Sequence, residues 1–432
     1  MKIIVGILIF GLIVLIHEGG HFILAKINGI KVNEFMIGFG PKLCGFHKGG
    51  TLFSIRLLPI GGACLMLGED EDQTLEQEGS FYSKGAWNRV AVLFAGPFFN
   101  FILAFVLAVI ITLNIGADIP IVTGIDSNGP AAQAGLQNDD IIKKIDNKKI
   151  VIGREYGDYL DFNQLSEQKV QLTVQRGKEK KEITVTPVYV ERYVLGFTYT
   201  LNEEEAKVYN LVKDYPMMRA GMKDNDVIIS INGTSVKSSQ ELSDYMTEHP
   251  LSGETVTLTY LRDGEENSVE IKPMLAGYYS MGFDAEAYKK QNFFRVIGYS
   301  AYEVKYWIQM TFSSLVQLFT GKLHKEDVGS TIAVFDAIGQ TYEETKKEGL
   351  RVLLVSLGYL TIMLSANIGV MNLLPIPALD GGKLLFCFIE IVRGKPIDRE
   401  KEGIINLIGF FLVIILIVFL TFNDIQNIIL KK

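Results

Sequence analysis

Four long stretches of the chain carry no charged residue, and they constrain the possible folds more than any other feature of the sequence. They cover residues 3–16, 90–113, 352–379 and 403–423. A bilayer core about 30 Å thick is spanned by roughly 20 helical residues, and the last three stretches reach that length. The sequence therefore predicts four transmembrane helices, which we place at residues 1–26, 88–114, 350–382 and 403–432.

The first stretch is too short to span a bilayer unless its helix continues to about residue 26. That continuation contains His17-Glu18-Gly19-Gly20-His21, so three ionisable groups lie at membrane depth. Such groups are costly in a bilayer and usually mark a functional site. A cleaved signal peptide is the alternative, but no small-residue cleavage site follows Ile16, so we expect the helix to be retained.

His17 to His21 form an H-E-x-x-H motif on this predicted helix. Histidines four residues apart lie on one helical face and can bind one Zn²⁺, while Glu18 lies beside them as a base for the attacking water. Burying two imidazoles and a carboxylate in a membrane without a metal would be expensive. The motif therefore predicts zinc bound by His17 and His21.

A catalytic zinc has three protein ligands and one open position, so a third ligand is needed. Among the apolar stretches, only the third offers an acidic side chain at a comparable depth, which is Asp380. Asp380 and His21 both lie at cytoplasmic helix ends in the topology given below, and we predict Asp380 as the third ligand. Pro375 and Pro377 break the helix just before it and free backbone groups, which would help to admit substrate.

Asn367 and Asn372 add polar side chains at the same level of the third predicted span. They either contact substrate or make hydrogen bonds between helices, and the sequence is consistent with both. With Pro375 and Pro377 they form the predicted substrate-binding set.

The polar region between the second and third spans contains an internal repeat. Segment 134–146 recurs 86 residues later as segment 220–232, with an Ala-Gly pair and an aspartate matched in both. The pattern resembles the PDZ domain, which implies two α+β domains, at residues 115–195 and 196–288. A PDZ domain accepts an extended peptide as an added strand and binds its terminus. An inert spacer is the alternative, because a sheet edge is often covered rather than used.

Lysine and arginine in the two short loops set the orientation of the spans. Residues 25–58 and 383–402 are rich in these side chains, so the loops at 27–87 and 383–402 should face the cytoplasm, which places the PDZ-like domains outside it. Residues 30–67 of the first loop are also rich in glycine and strand-forming residues. They form either a re-entrant β-hairpin buried beside the active site or a plain cytoplasmic hairpin.

Residues 289–349 mix aromatic with basic residues, which predicts amphipathic juxtamembrane helices on the outer surface. Residues 300–320 as a fifth span is the alternative. The predicted fold is thus a membrane protein with an α-helical transmembrane core of four spans, a re-entrant β-hairpin region and two extracytoplasmic PDZ-like α+β domains.

Charge and cysteine content exclude two further classes of protein. The net charge is −7, and no basic stripe compensates the acidic clusters, so we expect no nucleic-acid partner. The three cysteines are odd in number and widely spaced, which argues against a disulfide framework and against a Cys-x-x-Cys metal site.

Taken together, these motifs resemble the site-2 protease family of intramembrane zinc metalloproteases, and in particular its bacterial regulator-of-sigma-E protease group with tandem PDZ domains. The residues that carry the resemblance are His17 to His21, Gly96-Pro97-Phe98-Phe99-Asn100, the tandem repeat and Asn372 to Gly382. The resemblance implies that His17, His21 and Asp380 bind zinc and that Glu18 is the catalytic acid and base. Lys383 departs from the family, which often has histidine directly after Asp-Gly-Gly.

The same resemblance implies regulated intramembrane proteolysis. The substrates would be single-pass membrane proteins, with anti-sigma factors and remnant signal peptides as typical examples, cut after another protease has removed their outer part. The PDZ-like pair would act as a size filter for these substrates. The protein would lie in the bacterial inner (plasma) membrane as a multi-pass protein, with its active site near the cytoplasmic side.

Two other classes compete with a protease. A membrane-bound PDZ scaffold would bind peptides without cutting them, but the intact His17, Glu18, His21 and Asp380 argue against it. A metal transporter would need polar residues distributed through its spans, and these spans are otherwise apolar.

Overall fold

A computed structural model of the chain describes residues 2–69, 77–199, 204–321, 331–346 and 348–430. The chain divides into two compact units. Unit 1 consists of Met1–Asp118 and Tyr288–Lys432, and unit 2 of Ile119–Ala287. Unit 1 contains the apolar helices, and unit 2 contains the repeat.

The helices are distributed over both units. In chain order they are α1 (Lys2–Ile27), α2 (Ala86–Ile115), α3 (Pro130–Gln133), α4 (Arg154–Phe162), α5 (Pro216–Arg219), α6 (Ser239–Glu248), α7 (Phe293–Phe319), α8 (Thr331–Thr345), α9 (Leu350–Leu373), α10 (Asp380–Arg393) and α11 (Arg399–Leu430).

The strands lie mostly in unit 2. In chain order they are β1 (Val32–Lys48), β2 (Thr51–Met66), β3 (Ala117–Ile119), β4 (Ile141–Ile145), β5 (Lys148–Lys149), β6 (Val170–Arg176), β7 (Glu179–Val185), β8 (Val188–Val194), β9 (Ala206–Lys207), β10 (Val227–Ile231), β11 (Thr234–Ser235), β12 (Val256–Arg262), β13 (Glu265–Ile271), β14 (Met274–Ser280) and β15 (Ala287–Lys289).

Three helices of the described chain are long and apolar enough to cross a membrane. They are Ile3–Ile27 within α1, the whole of α2 and the whole of α9. The fourth predicted span falls on α11, which is one continuous helix but not among these three, so the four-span count stays a prediction. The predicted juxtamembrane region forms α7 and α8, while residues 322–330 and 347 within it lie outside the described residues.

Small residues bring the apolar helices of unit 1 close together. A Cβ atom added to Gly20 of α1 would lie 2.5 Å from the carbonyl oxygen of Ala95 on α2. One added to Gly369 of α9 would lie 2.7 Å from the ring of Phe101, also on α2. Close backbone approach at small residues is the usual way in which membrane helices pack. Helix α2 therefore contacts both α1 and α9 directly.

Strands β1 and β2 form a long antiparallel hairpin with several register shifts. The hairpin bends where Gly38 and Gly61 adopt positive φ angles of 83° and 84°. A side chain at Gly38 would also collide with the carbonyl oxygen of Leu58, at 2.4 Å. Only glycine tolerates this conformation at so close an approach. The bend lets residues 34–37 pair with both halves of β2.

Unit 2 contains two copies of one topology. The first copy has the strand order β5-β4-β6-β7 with α3 and α4, and the second has β11-β10-β12-β13 with α5 and α6. Each copy holds its own hydrophobic core. This is the α+β composition predicted for PDZ-like domains.

The two copies exchange one segment with each other. Met281 and Phe283 follow the second copy in sequence but are buried in the core of the first. Leu195 follows the strands of the first copy but is buried in the core of the second. We therefore define copy 1 as residues 121–185 with 281–285, and copy 2 as residues 195–271. Strands β8 and β14, which lead into the exchanged segments, pair with each other.

An equivalent ion pair closes each copy. Arg176 donates two hydrogen bonds of 2.7 Å to the carboxylate of Asp140, whose side chain is almost completely buried. Arg262 and Asp226 repeat this contact 86 residues later. The match shows that the repeat extends to buried charged contacts.

The copies differ at the exchanged segment. In copy 1, the hydroxyl of Tyr156 on α4 donates a 2.9 Å hydrogen bond to the carbonyl of Phe283, and the two rings stack. In copy 2 the position of Tyr156 is taken by Leu242. Within the described parts of the chain, no hydrogen bond reaches the peptide group of Phe197, the counterpart of Phe283. Among the described residues, a side chain therefore hydrogen-bonds the peptide carbonyl of Phe283 in copy 1, whereas the peptide group of Phe197 in copy 2 has no such contact.

Candidate active site

Two histidines and a carboxylate converge in unit 1. Helix α1 places His17 and His21 on one face, with their Nε2 atoms 3.3 Å apart. Oδ2 of Asp380 lies 3.2 Å from Nε2 of His17 and 3.3 Å from Nε2 of His21. The structure therefore brings together the three side chains that the sequence nominated as metal ligands, although 359 residues separate Asp380 from His21.

The polypeptide turns sharply to place Asp380. Helix α9 ends at Leu373, where Pro375 and Pro377 prevent its continuation, and α10 begins at Asp380 itself. A Cβ atom at Gly381 would lie 2.1 Å from the carbonyl oxygen of Leu374, so glycine is required where the turn closes on itself. The Asp-Gly-Gly sequence is thus a tight connection that starts a new helix with the carboxylate.

The donor set fits a zinc ion. Both imidazoles are buried and turn the same nitrogen, Nε2, towards one point. Oδ2 of Asp380 is buried and accepts no hydrogen bond from any described residue. All three ligand atoms lie within 4.8 Å of one another. Two imidazole nitrogens and one carboxylate oxygen are a typical ligand set of catalytic zinc, which keeps a fourth position open.

Glu18 lies beside this cluster and against the hairpin. It follows His17 directly on α1 and is half-buried. A Cβ atom at Gly62 of β2 would lie 3.3 Å from Cγ of Glu18 and 2.9 Å from the side chain of Val14. The second strand of the hairpin therefore passes over the carboxylate without a side chain of its own in between.

Helix α2 supports the cluster from the other side. A Cβ atom at Gly96 would lie 2.2 Å from Nε2 of His21, so any larger residue would displace the ligand. Nδ1 of His21 lies 2.9 Å from the carbonyl oxygen of Val92. Nδ1 of His17 lies 3.2 Å from Nδ2 of Asn100, which is fully buried. The sequence analysis used Gly96 and Asn100 only as part of the family resemblance and predicted no role for them at the metal site; the further signal was a glycine and an asparagine four residues apart in an apolar helix.

The predicted substrate-binding residues are held by different neighbours. Asn367 accepts a 2.6 Å hydrogen bond from Thr311 of α7, and Asn372 donates one of 3.0 Å to the carbonyl of Ile368. Pro377 packs against α11, since a Cβ atom at Gly409 would lie 2.3 Å from it. Pro375 is exposed. Asn367 thus joins two helices, and the substrate role of all four residues stays a prediction.

Lys383 forms an ion pair at the start of α10. Its Nζ lies 2.6 Å from Oε1 of Glu69, and both side chains are mostly buried. Further along the same helix, Glu390 pairs with Arg89 of α2 at 2.5 Å. Lys383, which departs from the family pattern, is therefore paired with Glu69 in the loop that follows β2.

Comparisons with known proteins show a family of metalloproteases. The family model described as Peptidase family M50 matches residues 5–416. The Zinc metalloprotease RasP of Bacillus licheniformis is 32% identical, and the Regulator of sigma-W protease RasP of Bacillus subtilis is 29% identical; each alignment covers 99% of both chains. The Probable protease eep of Enterococcus faecalis is 31% identical over 98% of this chain and 99% of its own.

One solved structure to which the chain is similar matches a small part of it. The HtrA3 PDZ domain bound to a phage-derived ligand is 19% identical, with 21% of this chain and 93% of that one covered at a TM-score of 0.18.

Proposed function

Since the chain belongs to peptidase family M50 and is a zinc metalloprotease, we propose that it hydrolyses peptide bonds within or beside the transmembrane segment of single-pass membrane proteins. The observation that carries this proposal is the convergence of His17, His21 and Asp380, two of them on a helix apolar enough to cross a membrane. Bound there, zinc supplies Lewis-acid polarisation of the scissile carbonyl and activation of water.

Glu18 is the acid and base of the proposed reaction. As the neighbour of His17 on α1, its carboxylate lies beside the zinc ligands. It accepts the proton of the attacking water and returns a proton to the leaving amine. His17, His21 and Asp380 hold the metal and take no proton in this scheme.

The hairpin next to Glu18 offers a place for an extended substrate. Amides within a helix are hydrogen-bonded, so a transmembrane substrate must unwind before it is cut. A sheet edge at membrane depth persists only where protein or a wet cavity covers it. Strand β2 passes Glu18 at Gly62, and we propose that this hairpin is re-entrant and pairs with the unwound segment.

The side chains of the hairpin support this depth. Phe39, Leu43 and Leu57 are exposed, as is expected of residues that face lipid. Arg56 is paired with Glu34 at 2.8 Å and also donates to the carbonyl of Gly40. Charged groups in membranes are paired in this way.

We assign the partners from the same features. The relative in Bacillus subtilis is named a regulator of sigma-W protease, and by that analogy an anti-sigma factor is one proposed substrate. Remnant signal peptides are a second proposed class. The segment at Phe197 in copy 2, whose peptide group has no hydrogen bond from the described residues, is the proposed site for a peptide terminus, and unit 2 as a whole would exclude substrates with intact outer domains.

The experiment that tests the proposal measures zinc content and cleavage of a single-pass reporter in liposomes. Wild type should hold about one zinc per chain and cut the reporter. E18Q should keep the zinc and lose cleavage, whereas H17A should lose both. E265Q, at an exposed glutamate of β13, is the matched control and should behave as wild type. If the wild-type protein bound no zinc, or if cleavage persisted in E18Q, a peptide-binding scaffold would be the better account.

A further inference from the structure

Asn100 is a buried polar side chain whose role the proposed reaction does not explain. It lies on α2, one helical turn after Gly96, and none of its surface is exposed. Its amide makes one hydrogen-bond contact with the described residues, to Nδ1 of His17 at 3.2 Å, and the other amide atom, Oδ1, has no partner there. Burying an amide in an apolar helix bundle costs free energy unless it is fully hydrogen-bonded.

The geometry of His17 decides which amide atom belongs at this contact. Nε2 of His17 points to His21 and Asp380, so this nitrogen is the one that would bind zinc. A neutral imidazole that binds a metal through Nε2 carries its hydrogen on Nδ1. Nδ1–H is a donor and requires an acceptor, which an amide NH₂ group is not.

A half-turn of the Asn100 amide about its Cβ–Cγ bond supplies that acceptor. The turn exchanges Oδ1 and Nδ2 with almost no change in the space they occupy. Oδ1 then accepts the hydrogen bond from Nδ1–H of His17. His21 shows the same arrangement with a backbone acceptor, since its Nδ1 lies 2.9 Å from the carbonyl oxygen of Val92.

We propose that Asn100 is a positioning residue for the zinc site: its amide oxygen accepts a hydrogen bond from Nδ1–H of His17 and so holds that imidazole in the tautomer and orientation in which Nε2 binds the metal. This inference rests on the proposed function, because it presupposes zinc at His17. Hydrogen-bond acceptors behind metal-binding histidines fix the ring and raise its basicity.

The test compares substitutions that keep or remove the acceptor. Asn100→Leu keeps the number and branching of the side-chain heavy atoms but has no polar atom, whereas Asn100→Asp keeps an acceptor oxygen and removes the NH₂ donor. Asn114→Leu is the matched control, since Asn114 lies on the same helix, is exposed and donates to the carbonyl of Ile110. Zinc affinity of the full-length protein in detergent is measured by competition with a chelator, and the melting temperature of each zinc-free variant reports its folding.

Asn100→Leu should bind zinc about 10- to 100-fold more weakly than wild type. Asn100→Asp should bind it about as tightly as wild type, and Asn114→Leu should be unchanged. Reporter cleavage at saturating zinc should recover further in Asn100→Asp than in Asn100→Leu, which a role in packing alone does not predict.

Two results would overturn the inference and leave the proposed function intact. One is wild-type zinc affinity in a folded Asn100→Leu protein. The other is a loss of about tenfold or more in a folded Asn100→Asp protein, which decides the question even where Asn100→Leu does not fold. If wild type itself binds no zinc, the proposed function fails first, so the two failures are distinguishable.

Discussion

The zinc site depends on an absent side chain as much as on the ligands. Gly96 lies against both imidazoles, and a Cβ atom there would come within 2.2 Å of Nε2 of His21 and 2.9 Å of Cε1 of His17. Helix backbones at this distance leave no room for adjustment, because α1 and α2 are already in contact at Gly20. The ligand geometry therefore depends on a residue that offers no ligand.

Gly96→Ala should consequently abolish tight zinc binding while the helices remain folded. The methyl group displaces His21 from the position that Nε2 shares with Asp380, and we expect zinc affinity to fall about tenfold or more. Gly11→Ala on α1 is the control, since an added Cβ atom meets nothing within 4 Å there. Metal content after dialysis measures both, and a Gly96→Ala protein that retains zinc like Gly11→Ala would contradict the prediction.

Which site residues the sequence reveals depends on how local their geometry is. His17 and His21 are paired by helix periodicity, so their spacing alone predicts that they share a face. Asp380 required an argument from depth in the membrane. Asn100 belongs to a segment that carries the family resemblance, but no role at the site followed from it, because an asparagine in an apolar helix is equally typical of contacts between helices. Its position behind His17 depends on the packing of α2 against α1, which no short-range pattern encodes.

Among the elements, the exchanged segments of unit 2 could not be assigned to their copies from the sequence. Leu195-Gly196-Phe197 and Met281-Gly282-Phe283 have the same hydrophobic pattern and lie 86 residues apart. Either segment satisfies the pattern of either copy, so the repeat predicts two domains without showing which strand completes which. The apolar helices α1, α2 and α9 were recognisable because a bilayer requires both their length and their composition.

Tyr156 should restrict peptide binding to copy 2. Its hydroxyl donates a hydrogen bond to the carbonyl of Phe283, and an added peptide strand would need that carbonyl as an acceptor. Tyr156→Leu gives copy 1 the residue that copy 2 has at Leu242, and we expect the number of binding sites for a peptide with a free carboxylate to rise from about one to two. Leu242→Tyr should remove the site in copy 2.

Isothermal titration of the full-length protein measures this stoichiometry. Tyr159→Phe is a suitable control, because Tyr159 lies on the same helix α4 and its hydroxyl donates to Asp146 instead. Equal stoichiometry in wild type and Tyr156→Leu, or undiminished binding in Leu242→Tyr, would argue against the assignment of the binding edge.

The Asp140–Arg176 pair should make copy 1 sensitive to acid. Burial raises the pKa of Asp140, but the hydrogen bonds from Arg176 and from the backbone N–H of Gln137 outweigh it and hold the pKa below its ordinary value. A carboxyl whose pKa is depressed by folding stabilises the fold above its unfolded pKa of about 3.9, and this contribution is lost as the pH falls through the folded pKa.

Arg176→Met removes the partner and leaves the Asp140 carboxylate buried. We expect a loss of about 2 to 4 kcal/mol at neutral pH, since breaking a buried ion pair on one side is strongly destabilising. The acid unfolding transition of copy 1 should move to higher pH, as followed by melting temperature across a pH series. Lys149→Met, at an exposed position of β5, is the control and should leave the transition in place.

At the scale of the whole molecule, the charges of the short loops predict on which side of the membrane copy 1 and the loop after α10 lie. Lys181 belongs to copy 1, and Lys395 belongs to the loop after α10. The positive-inside rule places the first outside the cytoplasm and the second within it. Three helices that qualify as spans between the N-terminus and Lys395 are consistent with this alternation.

Single cysteines test this arrangement in cells. In a background without Cys44, Cys64 and Cys387, Lys181→Cys should react with a membrane-impermeant maleimide from outside. Lys395→Cys should react only after the membrane is permeabilised. Labelling of Lys395→Cys in intact cells would reverse the orientation, and labelling of both would contradict the number of spans that separates them.

The exchanged segments of unit 2 also determine the order in which the two copies can complete their folding during synthesis. Copy 2 has all its segments once residue 271 has been synthesised, because its exchanged segment at Leu195 precedes the rest of the copy. Copy 1 begins at residue 121 but lacks Met281 and Phe283 until the end of unit 2 has been made. Copy 1 is therefore synthesised first and completed last. Until Met281 and Phe283 are made, its core is open, and another extended segment with the same hydrophobic pattern could bind there.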